Sequence, residues 1–348
     1  MPSDALNSLL ALSEAIGRDP ALVQAAGGNT SLKSDDVLWI KASGTWLMNA
    51  RSQPIMVPVQ LGLLREAVER QDPAADQPHA FTIDEENRAG LRPSIETTVH
   101  AVLPQRVVVH VHCVSTIAWA CLRGAEPQLA PRLAGFDWVF IPYVRPGLPL
   151  ARAIQDRVRP GTDVLVLGNH GLVVAADSVE DAAQLLSSVT ERLRRPARPA
   201  PPDDMDALLH LANGTGYRLP RSRECHATAL DSASLEAAAM GSLYPDHVIF
   251  LGPGSPMLTD SETVSEALAR LAASGRPRPA LLLIPGRGSL VRENASAGAE
   301  ALARCLADVT ARLEPGEDVV TLSPADEWAL LNWDAEQYRQ NLNARARG

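Results

Sequence analysis

The sequence predicts an α/β protein: a layered domain with much antiparallel pairing, followed by a smaller α/β domain. Three observations lead there. Short apolar runs of strand length, such as Val107-Val108-Val109-His110-Val111-His112 and Val164-Leu165-Val166-Leu167, are interspersed with segments of helical periodicity. In the first part they do not follow the regular strand–helix–strand rhythm of a parallel sheet. The stretch Arg194-Arg195-Pro196-Ala197-Arg198-Pro199-Ala200-Pro201-Pro202-Asp203-Asp204 then breaks the pattern as a Pro-rich, semi-rigid linker would. The expected organisation is a first domain over 1–195, a linker over 196–205 and a second domain over 206–348.

Taken in order, residues 4–17 place Leu6, Leu9, Leu10, Leu12, Ala15 and Ile16 at helical spacing, and Asp19-Pro20 ends that helix. The segment 1–19 lacks a basic stretch before an apolar core, so it reads as an amphipathic helix and not a signal peptide. A short second helix leads to the small-residue turn Gly27-Gly28-Asn29-Thr30-Ser31, a strand through 37–40 and a second turn, Ala42-Ser43-Gly44-Thr45. A helix is expected over 59–70, loop over 71–90, and a helix from Pro93-Ser94 that carries Glu96, Val99 and His100. The histidine-bearing strand follows, then a helix (116–122), a strand (136–143), a helix (149–158), two strands (163–167 and 172–176) and an amphipathic helix (178–193) capped by Ser178 or Asp177. In the second part, helices at 206–212 and 233–240 precede a strand at 247–251. A helix at 261–273, a strand at 280–284 and a long Ala-rich helix at 295–313 complete it, with some parallel pairing expected.

Composition excludes several classes. Hydrophobic residues make up 46% and charged residues 21%, and the net charge is −9, which argues against nucleic-acid binding through a basic surface. No apolar run approaches a membrane span. Cys113, Cys121, Cys225 and Cys305 form no CxxC pair, so a cysteine zinc site has no support, and reduced thiols in the cytoplasm are the expectation.

The residues that could carry chemistry are few. On a strand, residues i and i+2 share a face, so His110 and His112 would stand side by side. A lone strand histidine is ordinarily a hydrogen-bonded core residue. Two together, with His170 in the turn Gly168-Asn169-His170-Gly171, would be costly to bury without a shared partner. A divalent metal is such a partner, and three histidines with one open position suit a catalytic zinc. On spacing alone Glu96 reads as a solvated helix residue. The turns at Gly28-Asn29 and Ser43-Gly44 could nest an anion, although neither has the P-loop spacing. His100, four residues after Glu96, suits either a contact to the site or simple packing. Gly286-Arg287-Gly288 does not extend to a dinucleotide fingerprint, and no GxSxG is present.

In order along the chain, GGNTS, KASGT, PSIETTVH, VVVHVHCVS, IPYVRPG and GNHGLVV closely resemble the class II aldolase/adducin family, which includes fuculose-phosphate and rhamnulose-phosphate aldolases. The resemblance implies an α/β/α sandwich around a largely antiparallel central sheet, a homo-oligomer with a tetramer favoured, and a small phosphorylated sugar or sugar acid as substrate. Residue by residue it implies His110, His112 and His170 as metal ligands. Glu96 would be both a ligand of the empty-site metal and the catalytic acid/base, and Gly28, Asn29, Ser43, Gly44 and Ser94 would be the phosphate contacts. The implied cofactor is Zn2+, or another divalent metal. The implied activity is an aldolase that cleaves a phosphorylated ketose through a metal-stabilised enediolate.

Decarboxylation or dehydration of a phosphorylated sugar or sugar acid uses the same scaffold, and adducin-like binding without catalysis is a third possibility. Glu96 argues against epimerases, which replace it, and the complete histidine set argues against adducin-like proteins, which lose theirs. One departure stands out. The family's simplest members carry a tyrosine before the IPY stretch, and residues 122–135 contain none; Tyr143 matches a different position. The second part, through PDHV, LIPGRG and ADEW, resembles the later section of long rhamnulose-phosphate aldolase fusion proteins, without their dehydrogenase.

Overall fold

Leu6, Leu9, Ser13 and Ile16, three and four residues apart, form the buried stripe of helix α1 (Asp4–Gly17). The computed structural model describes residues 4–333, so the last part of the expected 206–348 domain, 334–348, lies outside the described residues. The chain divides into two units, one of Met1–Thr116 with Gly124–Arg194, the other of Ile117–Arg123 with Arg195–Gly348.

In the first unit α1 is followed by β1 (Asn29–Ser34), β2 (Val37–Lys41), β3 (Met56–Gln60), α2 (Leu61–Glu69), α3 (Thr97–Val102), β4 (Val107–Val111) and the first residues of α4 (Val114–Ala120), whose remainder belongs to the second unit. Then come α5 (Ala125–Leu129), β5 (Trp138–Ile141), α6 (Leu148–Gln155), β6 (Val164–Leu167), β7 (Gly171–Ala176) and α7 (Val179–Arg192). The seven strands form one sheet in the order β3-β2-β1-β4-β7-β6-β5. All neighbours pair antiparallel except β5 and β6. The largely antiparallel α/β fold expected from the sequence is therefore the one observed.

Two adjacent residues of β1 show that helices cover both faces. Thr30 Oγ1 lies 2.7 Å from Ser13 Oγ of α1, whereas Ser31 Oγ lies 2.7 Å from His100 Nδ1 of α3. Successive strand residues point to opposite faces, so α1 and α3 flank the sheet. On the α3 side Val99, Val108, Leu150, Ile154, Leu165 and Val173 pack into one apolar cluster. Ser178 caps α7 by accepting from the Asp181 N–H at 3.0 Å.

Several elements differ from expectation. Residues 20–26 form turns and no helix: the Asp19 carbonyl accepts from Leu22 and Val23, but Ala25 takes a left-handed φ of 51° that ends propagation. Asn29, Thr30 and Ser31, expected as a turn, open strand β1. The helix expected over 59–70 gives its first residues to strand β3. Glu96 is not within a helix but at the N-cap position of α3.

The second unit contains α8 (Met205–Ala212), β8 (Tyr217–Arg218), α9 (Ala227–Leu230), α10 (Ser232–Ala239), α11 (Pro245–Leu251) and α12 (Val264–Ala273). It continues with β9 (Leu281–Ile284), β10 (Gly288–Arg292), α13 (Ala297–Thr310) and α14 (Pro324–Leu331). Its three strands are ordered β8-β10-β9 and both ladders are antiparallel. The expected parallel pairing is reduced to an isolated bridge between Met257 and Leu283. The segment expected as a strand at 247–251 is helix α11. Pro245 presets its first turn, and burial of six of its seven residues erases the helical periodicity that would have revealed it.

An ion pair ties this unit together. The Arg195 guanidinium reaches both carboxylate oxygens of Glu317, at 2.8 and 2.7 Å, and lies 4.2 Å from the Trp119 ring centroid. Arg195→Ala leaves Glu317 without this partner and is expected to destabilise the fold by roughly 3–5 kcal/mol, read as a lowered urea midpoint. Arg195→Lys is expected to recover only part of the loss, because an ammonium can keep the pair to Glu317 but loses the planar guanidinium's stacking over the Trp119 ring. All four cysteines are buried and none is in a disulfide. Among the described residues no helix is long and apolar enough to cross a membrane.

Candidate metal centre

The apolar run 107–111 builds β4, the fourth of seven strands. His110 lies on it, and His112 follows one residue beyond the ladder's end. His170 arrives from the other direction. Strands β6 and β7 form a hairpin whose loop is Gly168-Asn169-His170, and β7 pairs with β4 so that Val173 faces His110. Asn169 supplies the left-handed φ, 51°, that closes the loop. At Gly171 a Cβ would stand 2.5 Å from the Val111 carbonyl oxygen, so only glycine admits this approach of loop to strand.

The three imidazoles converge. Their ring centroids are 4.9, 4.9 and 5.3 Å apart, and one nitrogen from each lies within 4.8 Å of the others. His110 Nε2 and His112 Nε2 are 3.1 Å apart, too close for both to carry protons. His110 Nδ1 lies 3.0 Å from the Leu172 carbonyl oxygen, which only accepts. The proton therefore sits on Nδ1, and Nε2 turns its lone pair inward, the orientation a metal ligand needs.

Glu96 faces the same space. Oε2 is 3.4 Å from His110 Nε2 and Oε1 is 3.5 Å from His170 Nε2. Burial pushes its carboxyl up, but His110, His170, His112 and the Asn29 amide outweigh burial and hold it at about 2. Among the described residues Oε1 is a buried oxygen with no hydrogen-bond donor. Three inward nitrogens and an undonated carboxylate oxygen are a donor set that fits a divalent cation.

Of the residues expected to contact phosphate, Asn29 and Ser94 lie beside Glu96, and backbone bonds link the Ser43 turn to the Ser94 segment. Gly28 has a φ of 60°, and a Cβ there would meet the His110 carbonyl oxygen at 2.8 Å. Asn29 sits opposite His110 in the β1–β4 ladder. Its Nδ2 donates to Glu96 Oε2 at 2.9 Å and to Ser94 Oγ at 3.2 Å. The Ser94 N–H donates to the Lys41 carbonyl at 3.0 Å, and the Ser43 N–H donates to the Arg92 carbonyl at 2.9 Å. The Ser43 N–H is thus spent on backbone, which leaves the Ser43 hydroxyl and the neighbouring Gly44, at a φ of 76°, as that turn's remaining features.

Two further residues take part, one not singled out from sequence and one whose role was left open there. Lys41 is buried, and its ammonium donates to the Ala26 carbonyl at 2.9 Å, strapping the loop before Gly28 to β2. His100, for which contact and packing were equally open, is fully buried between Ser31 and Asn29. Burial, then the charges of His110 and Lys33, push its imidazole well below the usual histidine range. The i, i+4 relation to Glu96 was the available signal.

Comparison with known proteins gives a consistent result. Residues 7–195 match the family of the class II aldolase and adducin N-terminal domain. Over 201 residues the chain is 29% identical to an uncharacterized oxidoreductase, YuxG, of Bacillus subtilis, covering 53% of this chain and 28% of that protein. Over 126 residues it is 30% identical to a 3-oxo-tetronate 4-phosphate decarboxylase of Escherichia coli O6:H1, covering 32% of this chain and 58% of that protein. The chain therefore spans well under two thirds of either relative. Among solved structures, the N-terminal class II aldolase domain of a conserved protein from Thermoplasma acidophilum is 27% identical with a TM-score of 0.48, covering 56% of this chain and 93% of that one.

Proposed function

The chain belongs to the class II aldolase and adducin family through residues 7–195, and from that premise we propose that it is a zinc-dependent carbon–carbon lyase, an aldolase acting on a phosphorylated ketose. The convergence of three buried imidazoles on the Glu96 carboxylate carries this reading. His110, His112 and His170 would hold the metal, with Glu96 as a further ligand in the substrate-free state. A zinc ion, or another divalent cation, would supply positive charge to offset the enediolate charge that develops on the ketose oxygens.

The chain's own groups do the rest. Glu96, ionised at neutral pH, accepts a proton at the reacting carbon and returns it, as a positioned carboxylate can. The Ser94 and Ser43 hydroxyls and the backbone at Gly28, Asn29 and Gly44 take the phosphate. They convert binding remote from the reacting carbon into orientation at it. Burial of Glu96 and the three histidines excludes bulk water and strengthens each of these interactions.

A second activity has specific support: decarboxylation of a phosphorylated 3-oxo sugar acid. A relative 30% identical is named as such an enzyme, and residues 122–135 lack the tyrosine expected of the simplest aldolases. Decarboxylation also builds enediolate charge, so the same ligands serve it. The two activities separate by product. Zinc-loaded protein is expected to release dihydroxyacetone phosphate from a ketose 1-phosphate. Carbon dioxide from phosphorylated 3-oxo acids, without ketose cleavage, would replace the aldolase by the decarboxylase. Stoichiometric zinc with neither product would sink both activities.

A further inference from the structure

Ser31 and Asn29 lie two residues apart on β1 and so face the same side of the sheet, toward α3. His100 of α3 stands between them. Its Nδ1 is 2.7 Å from Ser31 Oγ, and its Nε2 is hydrogen-bonded to Asn29 Oδ1. The direction of this chain of bonds can be read from its far end. An ionised carboxylate only accepts, so Asn29 must present its NH2 group to Glu96. Oδ1 is then the acceptor toward His100, and His100 Nε2 must carry a proton. That holds for a neutral or a charged imidazole, so the polarity of the chain does not depend on how His100 titrates. In the neutral ring Nδ1 accepts from the Ser31 hydroxyl.

We propose that His100 is a positioning residue of the metal centre, acting through Asn29: its Nε2–H locks the Asn29 amide so that Nδ2 engages Glu96 Oε2 and leaves Oε1 for the cation. The inference rests on His110, His112, His170 and Glu96 being metal ligands. Without this lock the Asn29 Oδ1 loses its His100 donor and the amide is held only through Nδ2, to Glu96 and Ser94. A shift of the amide toward another donor carries Nδ2, and with it Glu96 Oε2, out of position. His100 is hydrogen-bonded to Asn29 and to none of the four ligand side chains, so its effect has to pass through the amide.

The test is zinc affinity of the full chain, measured by competition with a chromophoric chelator, alongside the unfolding midpoint. His100→Leu is expected to weaken zinc binding by about 10- to 100-fold, the usual effect of losing a group that orients a ligand. His100→Gln is expected to stay close to wild type, because its amide can donate to Asn29 and accept from Ser31. In an Asn29→Ala background His100→Leu is expected to add nothing, since its route is already removed. If His100→Leu does not fold, His100→Asn, too short to span both partners, takes its place.

Unchanged affinity in the leucine variant, equal loss in the glutamine variant, or additivity with Asn29→Ala would each overturn the proposal. Zinc binding with this pattern, but with no lyase product, defeats the proposed activity and leaves the positioning role intact. A wild type that binds no zinc overturns both.

Discussion

His110→Ala is expected to abolish stoichiometric zinc binding while the fold persists. Removing a single outer group that orients a ligand costs about 10- to 100-fold in metal affinity, so removing a ligand on the central strand should cost more than about 100-fold. The strand itself should survive. Val107, Val108, Val109 and Val111 are all buried and remain to pack, and the β4 ladders to β1 and β7 are backbone bonds. The structural cost is the bond from His110 Nδ1 to the Leu172 carbonyl. Leaving that buried acceptor unpaired should lower stability by roughly 1–3 kcal/mol. Elemental analysis of the purified variant, with circular dichroism and a urea titration, checks both parts. Zinc retained at one equivalent would remove His110 from the ligand set.

Glu96→Gln should separate binding from turnover. The glutamine carbonyl can still accept from Asn29 Nδ2, so the bond that now measures 2.9 Å has a substitute. What disappears is the negative charge and the ability to take a proton. A positioned general acid or base contributes about 10²–10⁴-fold, and kcat is expected to fall within that range while zinc stays near one equivalent. The substrate-free protein should hold zinc somewhat less tightly, because an amide replaces the carboxylate beside the histidines. Wild-type kcat in this variant would exclude an acid/base role for Glu96 whatever the substrate.

The parts of this fold legible in the sequence are those whose local pattern agrees with their final environment. The valine run of β4 and the stripe of α1 announce themselves. Strand β1 does not: Asn29, Thr30 and Ser31 are polar yet buried, because their side chains bond into the site and to α1. Strand β3 contains Pro58, which demotes a strand by ordinary rules but is tolerated at the sheet edge where β3 lies. Helix α11 is buried on nearly every side, so its apolar run fits either period. In the site, the histidines and Glu96 were visible through the order of motifs. His100 was only half visible, because Ser31 and Asn29, the partners that give it meaning, lie some 70 residues away in the chain.

The placement of the histidines on and beside β4 has a consequence for how this scaffold can change. A strand with three neighbours on either side in the sheet cannot shift without disturbing two ladders, so the positions of His110 and Asn29 are fixed by the whole sheet. The Ser43–Gly44 turn and the Ser94 segment lie outside those ladders and are joined to each other by an isolated bridge between Ala42 and Pro93. New specificities should therefore be reachable by rebuilding the turns, with the chemistry at the centre carried over unchanged.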